Sequence, residues 1–176
     1  GSWYFDAALY ASSHNLMLGT SPTEFSPNIT MTRGMLVTVL YRMNGSPSVS
    51  GKTPFTDVRT DEWYSAAVLW AYQNGIVTGM SDTTFDPINN VTREQMATIL
   101  FRYTKTAAPD KAKASADLSG FADAGSVNDW AVDAMRWAVG QKLIAGITLE
   151  QSVYLQPRGN ATRAQAATVL TRYYAQ

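Results

Sequence analysis

Cysteine is absent from this chain, and histidine occurs once, at His14. Without thiols there is no disulfide and no thiolate metal site, and the absence suits either redox compartment. A lone histidine with no carboxylate cluster beside it is a poor metal ligand, so neither a metal nor a cofactor is expected. Excess charge is missing too, because 14 basic and 14 acidic side chains cancel. That balance removes the electrostatic case for nucleic acid or an anionic membrane as partner. No apolar run approaches the roughly 18 residues of a membrane span. No segment reads as a secretory signal. Gly1-Ser2 reads as a tag-cleavage scar, so the chain is expected to be a piece of a longer protein and monomeric as a fragment. The missing signal then carries no weight for localisation.

What is present is a repeat. The stretch "NNVTREQMATILFRY", residues 89–103, has a well-built helix start. Thr92 is a good N-cap, Gln95 completes a capping box, and Val91 with Met96 forms a hydrophobic staple. Arg93 alone misfits, since a cation at the first helical position opposes the macrodipole by roughly 0.3–1 kcal/mol. The misfit recurs in "ITMTRGMLVTVLYRM" and "GNATRAQAATVLTRYY", which align Arg33, Arg93 and Arg163. Pro27, Pro87 and Pro157 precede these arginines, and Arg42, Arg102 and Arg172 follow them. Upstream, Trp3, Trp63 and Trp130 each open a segment with small and aromatic residues at helical spacing, ending at Gly19, Gly79 and Gly146. Two copies carry a lead-in, "FTDV" at 55–58 and "FADA" at 121–124; the first does not.

The chain therefore reads as three helix-loop-helix units sharing one core. The units are 1–43, truncated at its start, 55–103 and 121–176. The polar, Pro-containing stretches 44–54 and 104–120 are linkers that let the units fold back around a common axis.

The ordered set resembles the S-layer homology family. It comprises F-x-D (Phe55, Asp57; Phe121, Asp123), the Trp-opened helix, the turn glycine, the F-x-P loop at 85–87 and V-T-R-E-Q at 91–95. The resemblance covers nearly the whole chain. It implies an all-α fold, with three tandem repeats in pseudo-threefold arrangement around a central three-helix bundle and grooves between neighbours. It further implies a non-enzymatic module that anchors exported proteins to the Gram-positive cell wall. The partner would be the secondary cell wall polymer, a glycan commonly bearing pyruvate ketals, and the location the bacterial cell surface.

On that resemblance, Arg33, Arg93 and Arg163 would pair with a pyruvate carboxylate beside free helix N–H groups. Trp63 and Trp130 would offer a plane for a sugar ring, and Asp57 and Asp123 would accept sugar hydroxyls. Gly19, Gly79 and Gly146 would let the ligand approach the backbone. Each has a structural alternative. The arginines can pair with a carboxylate or loop carbonyl, and the tryptophans can pack in the core. The aspartates can brace the following segment, and the glycines can supply positive φ at helix C-ends. Trp70 and Trp137 read as core, and Arg42, Arg102 and Arg172 as C-terminal helix cations. Asn90-Val91-Thr92 and Asn160-Ala161-Thr162 match a glycosylation pattern, but their threonines are wanted as caps.

Repeat 1 departs from the pattern. Its Gly34 weakens the helix by roughly 0.5–1 kcal/mol relative to alanine, and its capping-box acceptor is gone. Repeat 3 has Ala131 after its tryptophan and a longer loop. One or two competent grooves are expected, with Arg93 the best-placed arginine. The alternative function is a protein-interaction module presenting an apolar groove. A glycosidase would need paired carboxylates, and Asp57 and Asp123 are expected to lie in different grooves.

Overall fold

The computed structural model describes residues 2–175. Gly1, half of the suggested scar, and Gln176, the last residue of the third unit, lie outside them. The structure is mainly helical. Its helices are α1 (Phe5–Ser13), α2 (Arg33–Met43), α3 (Ser65–Gln73), α4 (Arg93–Ala107), α5 (Val132–Gly140) and α6 (Arg163–Tyr174). The longer third loop folds as a small antiparallel hairpin, β1 (Ile147–Leu149) with β2 (Ser152–Tyr154). The all-α expectation thus needs that one addition.

The three long helices begin where the capping signals place them. Thr32, Thr92 and Thr162 each accept from the backbone N–H three residues on. Gln95 and Gln165 complete the reciprocal half of the box, which Met35 cannot supply. Helix α4 runs on to Ala107, and Pro109–Lys113 forms a 3₁₀ turn, so part of the stretch 104–120 is ordered helix. The carbonyl of Lys111 accepts from Trp137 Nε1 at 2.9 Å, which ties that turn to α5.

The short helices do not pack within their own repeats. Helix α1 packs on α6, α3 on α2, and α5 on α4. Each pairing crosses a repeat boundary, so every unit buries its apolar face against another. The backbone closes the same way. Met31 N–H donates to Ala161 O (2.8 Å), Ala161 N–H to Val91 O (2.9 Å) and Val91 N–H to Met31 O (2.9 Å), a closed cycle. All three residues are fully buried, and one core cluster spans all three repeats.

Candidate functional site

The opening misfit, an arginine at a helix start, has a direct structural reason. Arg33 Nε donates to Phe85 O at 2.9 Å, Arg93 Nε to Leu155 O at 2.7 Å, and Arg163 Nε to Phe25 O at 2.9 Å. Every acceptor belongs to the F-x-P-type loop of another repeat. The Arg33 and Arg163 guanidinium carbons also sit 4.7 and 4.8 Å from the ring centroids of Phe85 and Phe25. Leu155 replaces the aromatic beneath Arg93. Burial pushes all three arginines below their ordinary pKa; Asp86 and Asp57 pull Arg33 back up, Asp123 does so for Arg93, and no carboxylate acts on Arg163.

The helix N–H groups expected to be free for an anion are not free. Arg33 and Gly34 N–H donate to Asn89 O and Pro87 O, Arg93 and Glu94 to Gly159 O and Pro157 O, and Arg163 and Ala164 to Ile29 O and Pro27 O. The next N–H of each helix is taken by the threonine cap. Each helix start is plugged by a neighbouring loop, which satisfies its orphan donors without a ligand.

The aspartates brace these same loops. Asp57 accepts from Phe85 N–H (2.9 Å) and Asp86 N–H (2.7 Å), and Asp123 from Leu155 and Gln156 N–H, both at 2.7 Å. Asp86 and Gln156 have φ of +64° and +48°, so each carboxylate clamps two adjacent amides around a left-handed residue. Neither aspartate lines the three clefts described next.

Among the described residues, three clefts between repeats each gather side chains from all three. The first, about 370 Å³, unites Arg33 of α2, Arg102 of α4, Gly79, Gln95 and Trp130. The second, about 390 Å³, unites Arg93 of α4, Arg172 of α6, Gly146, Gln165 and Trp3. The third, about 160 Å³, unites Arg163 of α6, Arg42 of α2, Gly19 and Trp63. Nine helical residues turn the chain through about 900°, two and a half revolutions, so the two arginines of one helix point to opposite sides and face different clefts. That spacing was the available signal for Arg42, Arg102 and Arg172 as cleft residues.

Trp3, Trp63 and Trp130 are exposed at 67, 57 and 54%, not packed in the core. Trp3 and Trp63 stand two residues before the first residues of α1 and α3, and Trp130 lies in the 3₁₀ turn Asp129–Ala131 that leads into α5, where the regular helical face does not yet apply. Trp70 and Trp137, inside their helices, are buried. Gly79 and Gly146 have φ of +82° and +79°; Gly19 does not share this. They lie beyond the helix ends, where Asn15, Gly75 and Lys142 take the positive φ instead. A Cβ on Gly79 would meet Ser81 O at 2.5 Å and the Phe55 ring at 2.6 Å. His14 stacks on Tyr10, its ring Nδ1 3.0 Å from the Tyr10 carbonyl.

The clefts differ in available donors. Among the described residues, no protein acceptor meets the Nη atoms of Arg33 or Arg93, whereas Arg163 Nη2 donates to Leu18 O at 2.6 Å. Arg102 Nη1 donates weakly to Thr78 Oγ1 (3.3 Å), and Arg172 Nη1 to Leu143 O (3.1 Å).

Comparison with known proteins follows the repeat. A family model described as S-layer homology domain matches residues 1–34, 54–97 and 120–167. An endoglucanase from Bacillus sp. (strain KSM-635) is 32% identical over 97% of this chain and 17% of that protein. The surface-layer 125 kDa protein of Lysinibacillus sphaericus is 31% identical over 88% of this chain and 12% of that protein. An amylopullulanase of Thermoanaerobacterium thermosulfurigenes is 28% identical over 96% of this chain and 9% of that protein. The chain spans less than a fifth of each of these relatives.

Proposed function

Because the chain belongs to the S-layer homology domain family, matched in three segments, we propose that it is a cell-wall anchoring module acting at the bacterial surface, with an anionic wall glycan held in the inter-repeat clefts. The units 1–43, 55–103 and 121–176, joined by 44–54 and 104–120, stand in pseudo-threefold arrangement around a bundle of α2, α4 and α6. The cyclic hydrogen bonds through Met31, Ala161 and Val91 support that arrangement. The chain itself is not an enzyme. Relatives named as glucanases and as surface-layer proteins share this segment beside much longer remainders, which fits a common anchor and separate cargo.

One observation carries the glycan reading. Each cleft brings an exposed tryptophan and two arginines together from three repeats, in a molecule with no net charge. An indole face stacks on a sugar ring, and guanidinium Nη groups pair with a carboxylate. A pyruvate ketal supplies such a carboxylate on a secondary cell wall polymer. The clefts of Arg33 and Arg93 are the competent ones, since they are roomier and their Nη groups are free of protein acceptors. Arg163 is turned inward, and its cleft is less than half the size. Gly79 and Gly146 bring backbone to the cleft wall. Asp57 and Asp123 act as braces behind it.

Arginine-to-alanine variants would mix binding with stability, because each Nε holds a loop. The test is therefore co-sedimentation with wall sacculi, before and after stripping of the secondary polymer, using Trp130→Ala and Arg102→Gln. Binding that disappears on stripping and weakens in both variants supports the reading. Binding that persists on stripped walls, or variants that bind as the parent does, favours an apolar protein-interaction surface instead.

A further inference from the structure

Among the described residues, Glu94 is the only buried acidic side chain, 2% exposed in the first turn of α4. A carboxylate there suits the helix macrodipole, but the dipole alone would leave it in water. Burying the charge is costly unless it is fully hydrogen-bonded. Glu94 meets that demand on a single residue of repeat 3. Its Oε2 accepts from Asn128 N–H at 3.1 Å, and its Oε1 accepts from Asn128 Nδ2. On the other side, Asn128 Oδ1 accepts from Arg158 Nη2 at 3.3 Å. The amide thus relays between a carboxylate and a guanidinium, and each bond polarises the next. The Asn128 carbonyl accepts from Ala131 N–H at 2.8 Å, closing the 3₁₀ turn that carries Trp130. Every polar group of Asn128 is therefore engaged, two residues from a ring that stands exposed in the first cleft.

The repeats differ at this seam. On α2 the position of Glu94 is Gly34, where a Cβ would stand 3.4 Å from the Tyr64 side chain. The seam between α4 and the Asp129–Ala131 turn reverses the sizes, with Glu94 on the helix and Ala131 at the place of the tyrosine. The counterpart of Asn128 before Trp63 is Asp61, which pairs with Arg59 of its own repeat in an exposed bridge. The lead-in of Trp63 is thus tied within its repeat, that of Trp130 across a repeat boundary.

We propose that Glu94 is a positioning residue for the first cleft. Acting through Asn128, its carboxylate fixes the turn that carries Trp130, and so holds the exposed indole in the orientation in which it meets the ligand. A platform fixed in advance spares the ligand the cost of ordering it. The consequence for binding rests on the glycan reading above; the ordering of the Trp130 ring does not.

The experiment labels the full chain with 5-fluorotryptophan and identifies the fluorine signal of Trp130 by its loss in Trp130→Phe. Binding is read with purified pyruvylated wall polymer. Glu94→Ala is expected to shift and broaden the Trp130 signal while those of buried Trp70 and Trp137 stay in place, and to weaken polymer binding roughly two- to tenfold. Glu94→Gln combined with Asn128→Asp returns both readouts toward the parent, because the amide and the carboxylate exchange sides and the backbone N–H at 128 keeps its acceptor. An unmoved Trp130 signal in Glu94→Ala, even with a lower melting temperature, overturns the proposal and leaves Glu94 a structural residue. Parent-like binding by Glu94→Ala alongside weak binding by Trp130→Ala also overturns it, and leaves the glycan reading standing. If Trp130→Ala itself binds as the parent does, the glycan reading fails, and the fluorine signal in Glu94→Ala still upholds or overturns the positioning of the ring.

Discussion

Removing the Asp57 carboxylate isolates the contribution of one loop brace. Asp57→Ala deletes two charge-assisted hydrogen bonds, to Phe85 N–H and Asp86 N–H. Such bonds contribute about 1.5–3 kcal/mol each. The site is only partly buried, so water reaches the freed amides and the loss falls to about 2–4 kcal/mol in total. Arg33 keeps Asp86 but loses the favourable field of Asp57, in the same direction. The fold should survive, because repeat 1 keeps the same left-handed turn at Ser26 without such a carboxylate. For a domain of this size, 1 kcal/mol corresponds to roughly 2–4 °C, so melting should fall by about 5–15 °C. Asp57→Asn retains one acceptor and should lose about half as much. Circular dichroism melts at neutral pH provide the assay. A fall below about 2 °C for Asp57→Ala, or an Asp57→Asn variant indistinguishable from the parent, would refute the bracing argument.

Three further outcomes follow from the same geometry. Gly79→Ala should destabilise by roughly 1–3 kcal/mol or more in a urea titration, since it combines positive φ with a Cβ 2.5 Å from Ser81 O. Gly34→Ala should fail to give the usual helix gain of about 0.5–1 kcal/mol, because its Cβ would stand 2.9 Å from Pro87 O; a clear rise in melting temperature would contradict this. The buried phenol of Tyr103 is pushed up to about 12. A raised acid pKa means the native state holds the proton longer than the unfolded chain, so its contribution is intact below about pH 10 and is lost as pH rises toward 12. Ultraviolet titration should show this phenol ionising last, and Tyr103→Phe should flatten the alkaline loss of stability.

The helix starts and the repeat were legible in the sequence because they rest on local chemistry. Thr92 with Gln95, and Thr162 with Gln165, announce their caps within four residues. Trp70 and Trp137 were legible as core because they lie within regular helix. The exchange of partners between repeats was not legible. An apolar stripe on α3 states that a face is buried, but not that α2 of the preceding unit covers it. For the same reason the arginine spacing could not reveal a carbonyl acceptor from another repeat, such as Phe85 O for Arg33. For Trp63 and Trp130 helical periodicity left a core position open beside the sugar-facing one, because it was extended to residues at or before the helix start; their exposure removes the core alternative. Arg102 and Arg172 were assigned to helix ends; that holds for Arg172, whereas α4 continues to Ala107 and leaves Arg102 short of its last turn, and both line clefts once a neighbouring repeat is in place.

The most direct measurement is a calorimetric titration of the chain with purified pyruvylated wall polymer and with the same polymer after mild hydrolysis of its ketals. The account predicts binding that is lost on hydrolysis, and weakened by Trp130→Ala without a change in melting temperature. Equal affinity for the two polymers would contradict the claim that the inter-repeat clefts recognise the glycan through its carboxylate.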